Sequence, residues 1–204
     1  MRAVNLVSGR ALPLDRRDVD TDQIIPAAWL KRVERTGFGP GLFSAWRTSP
    51  DFILNQPGAG EARILVAGAN FGCGSSREHA VWALQDFGFE AVIAVSFADI
   101  FRNNSIGAGL VTAETDESVV NDLFAILARD PRAEVTLDVA ARTIEVPSAG
   151  LQAPFSLPDY ARWRLLEGLD DIGVTLRHEE AIASFEATRP SWLPSVTTPA
   201  HTAA

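Results

Sequence analysis

Two hydrophobic rhythms run along this chain. The first is the short, wholly apolar run. Ile64-Leu-Val-Ala67 and Ala91-Val-Ile-Ala-Val95 are bounded by turn residues. Runs of this length read as strands buried on both faces. Between them, Ala80-Val-Trp-Ala-Leu-Gln-Asp-Phe87 has helical spacing and stops at Gly88, a residue suited to helix ends. Strand, helix and strand with short links predict a right-handed βαβ unit. A helix over 97–106 and a strand over 110–113 continue it. The second rhythm is amphipathic. Apolar residues at 119, 120, 123, 124, 126 and 127 predict a helix over 116–128. Alternation over 134–139 and 143–146 predicts an antiparallel hairpin. Helices are expected over 158–168, with Pro158 near the start, and over 177–187. A first strand is expected over 3–8, broken by Pro13 and the polar run after it. A short helix is expected over 27–33, and loops over 37–41 and 56–60.

Composition narrows the class. A chain of 204 residues, 47% apolar, is long enough for a real core. Its apolar runs fall far short of a membrane span, and the N-terminus lacks the pattern of a signal peptide. A single cysteine excludes an internal disulfide and fits a reducing, cytoplasmic setting. One cysteine also cannot hold a zinc ion or an iron–sulfur cluster alone, so no metal is assigned to this chain. A net charge of −8 without any basic run argues against nucleic acid. The domain is expected to span 1–187. The Pro/Ser/Thr-rich tail over 188–204 is expected to be disordered at its end.

The chemistry concentrates in Asn70-Phe-Gly-Cys-Gly-Ser-Ser-Arg-Glu-His79. This glycine-rich turn leaves a strand at its carboxyl end and enters a helix, where open α/β folds place ligands and backbone N–H groups attract anions. Ser75-Ser-Arg-Glu78 also matches the S-x-x-E capping box, so a purely structural cap competes with a site. Arg77 tips the balance. A cation in the first turn opposes the helix dipole, yet it can grip a carboxylate with two prongs. Gly72 and Gly74 would let the backbone approach such a substrate. Phosphate loops and the serine-hydrolase elbow are excluded by spacing. Cys73 and His79 read as packing residues. Asp18-Val-Asp-Thr-Asp22 begins like a calcium loop, but Gln23 and Trp29 stand where glycine and glutamate are needed.

Taken together, these motifs carry a family resemblance. The run from Asn70 to His79 is similar to the signature of the swivel domain of the aconitase superfamily. With Asp20-Thr-Asp-Gln-Ile-Ile-Pro26, Arg35-Thr-Gly-Phe-Gly39, Ser96-Phe-Ala-Asp-Ile-Phe101 and Gly168-Leu-Asp-Asp-Ile-Gly173, the chain resembles the small subunits of bacterial 3-isopropylmalate dehydratases over about 3–190. That resemblance implies an α/β fold, the swivelling β/β/α domain of the aconitase C-terminal type. It implies a hydro-lyase of leucine biosynthesis that interconverts 2- and 3-isopropylmalate, small dicarboxylates, through isopropylmaleate. It implies a heterodimer with a large subunit that carries the [4Fe–4S] cluster.

The resemblance also implies roles. Ser75 would, as an alkoxide, remove the proton beside a carboxylate, and Asp22 would pair with a histidine of the large subunit. Arg77, Ser76 and Gly74 would bind substrate. Leu30 and Val33 lie near the position where aconitase uses an arginine for a third carboxylate. Apolar residues there suit an isopropyl group. The competing readings are the small subunit of a homoaconitase or a citraconate or methylmalate hydratase, and a non-catalytic assembly module.

Overall fold

The computed structural model describes residues 1–31, 34–190 and 192–193. In chain order the elements are β1 (Leu6–Leu14), α1 (Thr21–Ile24), β2 (Ile64–Ala67), α2 (Glu78–Phe87), β3 (Ala91–Ala94), α3 (Asp99–Ala108), β4 (Val111–Glu114), α4 (Glu117–Arg129), β5 (Glu134–Asp138), β6 (Thr143–Val146), β7 (Leu151–Pro154), α5 (Asp159–Glu167), α6 (Asp171–Leu176) and α7 (Glu179–Ala187). Several single-turn 3-10 helices occupy the stretch between α1 and β2.

The strands form one seven-stranded sheet in the order β4-β3-β2-β1-β5-β6-β7. β1 to β4 are parallel, and β5 to β7 pair antiparallel. β1 joins the halves by changing partner midway. Residues 6–10 pair with β5 and residues 11–14 pair with β2. The expected break at Pro13 does not occur. Beyond residue 10, β5 no longer flanks β1, and on an open flank a proline's missing N–H costs nothing.

Alternation along each central strand feeds two cores. Leu12, Leu14, Leu65, Ala67, Val92 and Ala94 face one cluster, where α2 contributes Ala80, Val81, Ala83 and Leu84. Ala11, Ile64, Val66, Ala91 and Ile93 face the other, where α4 contributes Val120, Leu123 and Leu127. Burial on both faces explains why β2 and β3 are unbroken apolar runs.

The chain divides into two compact units, with the boundary after Asp170. Within the second, α6 precedes α7. β7 and α6 were not anticipated. Leu151-Gln-Ala-Pro154 is too short, and Asp171-Ile-Gly-Val-Thr-Leu176 too mixed, to announce a period. The helix expected over 27–33 is a 3-10 turn, Ala27–Lys31. Val33 and the tail beyond 193 lie outside the described residues.

Candidate active site

The site forms because parallel pairing continues past the ends of β1 and β2. Asp18 N–H donates to Ala69 O at 2.9 Å, and Gly72 N–H donates to Val19 O at 2.7 Å. Asp20 and Cys73 then form a parallel bridge, as do Phe71 and Phe97 beyond β2 and β3. The acidic loop and the glycine-rich turn are thus zipped side by side at the carboxyl edge of the parallel strands, the place open α/β sheets reserve for ligands.

Each aspartate of the acidic loop has its own partner. Asp18 accepts from Asn70 Nδ2 at 2.8 Å. Asp20 is the N-cap of α1, accepting from the Gln23 N–H at 2.8 Å, while Gln23 Oε1 accepts from the Asp20 N–H at 3.1 Å. That is a complete capping box. Asp22 Oδ1 pairs with Arg77 Nη2 at 2.7 Å.

The cap that competes for Ser75 in the sequence is not formed there; the capping box is at Asp20 and Gln23. α2 begins at Glu78, and its N-cap is Arg77, whose side chain makes no capping hydrogen bond. Arg77 stands one position before the helix, not within its first turn. Gly74, Ser75 and Ser76 are exposed, and no capping role consumes the Ser75 side chain. Arg77 is the opposite case: its side chain is 15% exposed, and Nη1 is buried with no hydrogen-bond partner. An unsatisfied buried donor costs about 1–3 kcal/mol, and such a cost in a native chain calls for an explanation.

The two glycines differ from expectation in an informative way. Gly72, at φ +77°, is buried, and a Cβ there would lie 2.2 Å from Phe101 Cγ. It serves packing, not the approach of a substrate. Gly74, at φ +90°, is exposed and meets nothing closer than 3.4 Å, so only its conformation requires glycine. Cys73 is half-buried. Burial first, then the charges of Asp20 and Asp18, raise its thiol pKa above the ordinary value. That disfavours the thiolate a nucleophile needs. His79 lies edge-on to Phe38, with ring centroids 5.3 Å apart, and 4.8 Å from Trp82.

The structure thus brings Asp22, Ser75, Ser76 and Arg77 together through α1 and the adjoining glycine-rich turn. Leu30 sits in the 27–31 turn, half-buried against the core cluster that also receives Trp29. Among the described residues no group of three metal-ligating side chains occurs, and no helix is long and apolar enough to cross a membrane.

Residues 1–118 match the family model of the aconitase C-terminal domain. Residues 171–194 match the model for the C-terminal domain of the 3-isopropylmalate dehydratase small subunit. The chain is 62% identical to the 3-isopropylmalate dehydratase small subunit of Frankia alni over 96% of its length and 99% of that protein's. It is 55% identical to that of Rubrobacter xylanophilus, over 96% of this chain and 100% of the relative. This chain belongs to the 3-isopropylmalate dehydratase small-subunit family. The crystal structure of 3-isopropylmalate dehydratase from Methanocaldococcus jannaschii superposes with a TM-score of 0.66 at 28% identity, over 88% of this chain and 98% of that one. The fold of this small-subunit family member is accordingly the aconitase C-terminal type, as the resemblance implied.

Sequence reasoning passed over Thr21. It is 1% exposed, and its hydroxyl donates to the Ser75 carbonyl oxygen at 2.9 Å. The Asp20-Thr-Asp-Gln23 spacing is itself a capping-box pattern, D-x-x-Q. Applied to this loop, that rule locates α1 and turns attention to its first residue.

Proposed function

We propose that this chain is the small subunit of a hydro-lyase that interconverts 2- and 3-isopropylmalate through isopropylmaleate in leucine biosynthesis. The swivelling domain is assigned to residues 1–187. The observation that carries the reading is the Ser75-Ser-Arg77 turn. Its serines are exposed, and its arginine is held at one nitrogen by Asp22 while a second donor stays unpaired. A dicarboxylate at the turn is an anion that a guanidinium oriented in this way can grip.

In this reading Ser75 Oγ takes the proton from the carbon next to a substrate carboxylate. The electron pair left behind forms the carbon–carbon double bond. The hydroxyl on the neighbouring carbon departs as water, with a proton supplied by the partner chain. Rehydration reverses these steps with the positions exchanged. A serine hydroxyl is a weak acid, so the alkoxide needs positive charge and N–H donors close by. The Arg77 guanidinium and the start of α2, left without a side-chain cap, meet that need. Ser76 supplies a further hydroxyl to the substrate. Asp22 restrains Arg77 and, in the assembled enzyme, faces a histidine of the large subunit. Leu30 and Val33 belong to the apolar subsite.

Membership of the aconitase superfamily implies an iron–sulfur cluster. Such clusters need several thiolates, and this chain has one cysteine and no three-ligand group among the described residues. Its residues do not fit the cluster, which belongs to the large subunit. The test is Ser75→Ala in the reconstituted two-chain enzyme. Turnover, followed by isopropylmaleate absorbance, is expected to fall by roughly a thousandfold or more, with affinity for the large subunit unchanged. Normal turnover in that variant overturns the assignment of the base.

A further inference from the structure

We infer that Thr21 is the positioning residue of Ser75. The inference rests on the reading of Ser75 as the base. A proton-abstracting oxygen must be held within about 0.5 Å of its productive place. Yet Gly74, Ser75 and Ser76 are all exposed, and Gly74 adopts φ +90°. A turn of that kind has little of its own to hold it.

Thr21 supplies the missing restraint from beneath. Its N–H donates to Cys73 O at 2.9 Å, and its hydroxyl donates to Ser75 O at 2.9 Å. The two acceptors flank Gly74, so the residue with most freedom is clamped from both sides. Gly74 itself lies over the clamp: a Cβ there would be 3.6 Å from Thr21 Oγ1. Fixing the Ser75 carbonyl restrains the peptide plane after Ser75 and so the Cα–Cβ bond from which Oγ takes its staggered positions.

The clamp is itself anchored. Thr21 is the first residue of α1, whose N-terminus is locked by the Asp20–Gln23 capping box. The Ile25 N–H closes the turn onto Thr21 O at 2.9 Å. The next residue, Asp22, holds Arg77. Three consecutive side chains therefore secure the helix, the base and the cation in turn. A threonine fits this place because it provides a hydroxyl donor on a stiff, branched side chain.

The experiment compares Thr21→Val, Thr21→Ser and Ser75→Ala in the complex with the large subunit. It measures kcat, KM, affinity for the large subunit and thermal stability. Valine keeps the branched shape and puts a methyl group in place of the hydroxyl. Thr21→Val is expected to lower kcat by roughly ten- to a hundredfold, with KM and subunit affinity within about twofold of wild type. Thr21→Ser is expected to restore kcat to within about twofold. If Thr21→Val does not fold, Thr21→Ala compared with Thr21→Ser reads the same hydroxyl. An unchanged kcat in the valine variant overturns the inference. So does a loss that follows stability or subunit affinity and is not rescued by serine. Full turnover in Ser75→Ala overturns the base assignment itself. An inactive Ser75→Ala beside a fully active Thr21→Val overturns the role of Thr21 alone.

Discussion

Gly72→Ala should be the most damaging single-methyl change in the glycine-rich turn. Two penalties add. An L-residue in left-handed backbone costs roughly 1–2 kcal/mol, and Gly72 sits at φ +77°. The new Cβ would also lie 2.2 Å from Phe101 Cγ, 2.5 Å from its Cβ and 2.7 Å from Cδ2. The near atoms include the root of the Phe101 side chain, so rotating the ring does not relieve the overlap. Phe101 is 2% exposed and stacked on Phe97, with Phe71 edge-on, so α3 must shift to make room. Overpacking of this kind costs about 1–3 kcal/mol. The sum is roughly 2–5 kcal/mol, or about 4–20 °C in Tm for a chain of this size. Urea unfolding followed by tryptophan fluorescence measures it. Gly60→Ala is the control, since a Cβ there meets nothing within 4 Å. Because the Gly72 N–H holds Val19 O at 2.7 Å, turnover should fall as well. A loss below about 0.5 kcal/mol, the range of a neutral surface change, would refute the reasoning.

Other outcomes follow from the same geometry. Arg77→Lys should raise KM for the dicarboxylate roughly ten- to a hundredfold, because a lysine cannot span Asp22 and a carboxylate together. An unchanged KM would remove Arg77 from the substrate. Cys73 should react slowly with iodoacetamide at neutral pH, because burial and the charges of Asp20 and Asp18 raise its thiol pKa. The folded chain then holds that proton more tightly than the unfolded chain does. The associated stability is complete below the unfolded thiol pKa and is lost as pH climbs through the folded one. Cys73→Ser should abolish that alkaline loss, and alkylation rates and unfolding midpoints against pH check both statements.

The parallel half of the sheet was legible because its strands are buried on both faces, which leaves uninterrupted apolar runs at 64–67 and 91–94. The expected first strand, 3–8, stops short of the end of β1 at Leu14, because local chemistry says nothing about which flank of a strand is open. At the site, residue types disclosed the exposed serines and the arginine. The pairing of Asp22 with Arg77 and the clamp from Thr21 depend on residues more than fifty positions apart. Only the register between the two loops brings them together. The S-x-x-E pattern at Ser75 fits an N-cap two residues upstream of the true one at Arg77. Glu78 opens α2 instead of closing a box.

The changeover of partners within β1 has a consequence for how the chain is made. Residues 11–14 can join β2 once about the first seventy residues have left the ribosome, allowing for docking. Residues 6–10 must wait for β5, and the Ser8–Thr136 hydrogen bond closes a span of 128 residues. Until then the front half of β1 is a bare strand edge beside a sheet that is already forming. Such edges recruit other chains. Nascent copies are therefore most exposed to misassembly in the interval between synthesis of β2 and synthesis of β5. Truncations that end before residue 134 should leave this edge permanently open and aggregate.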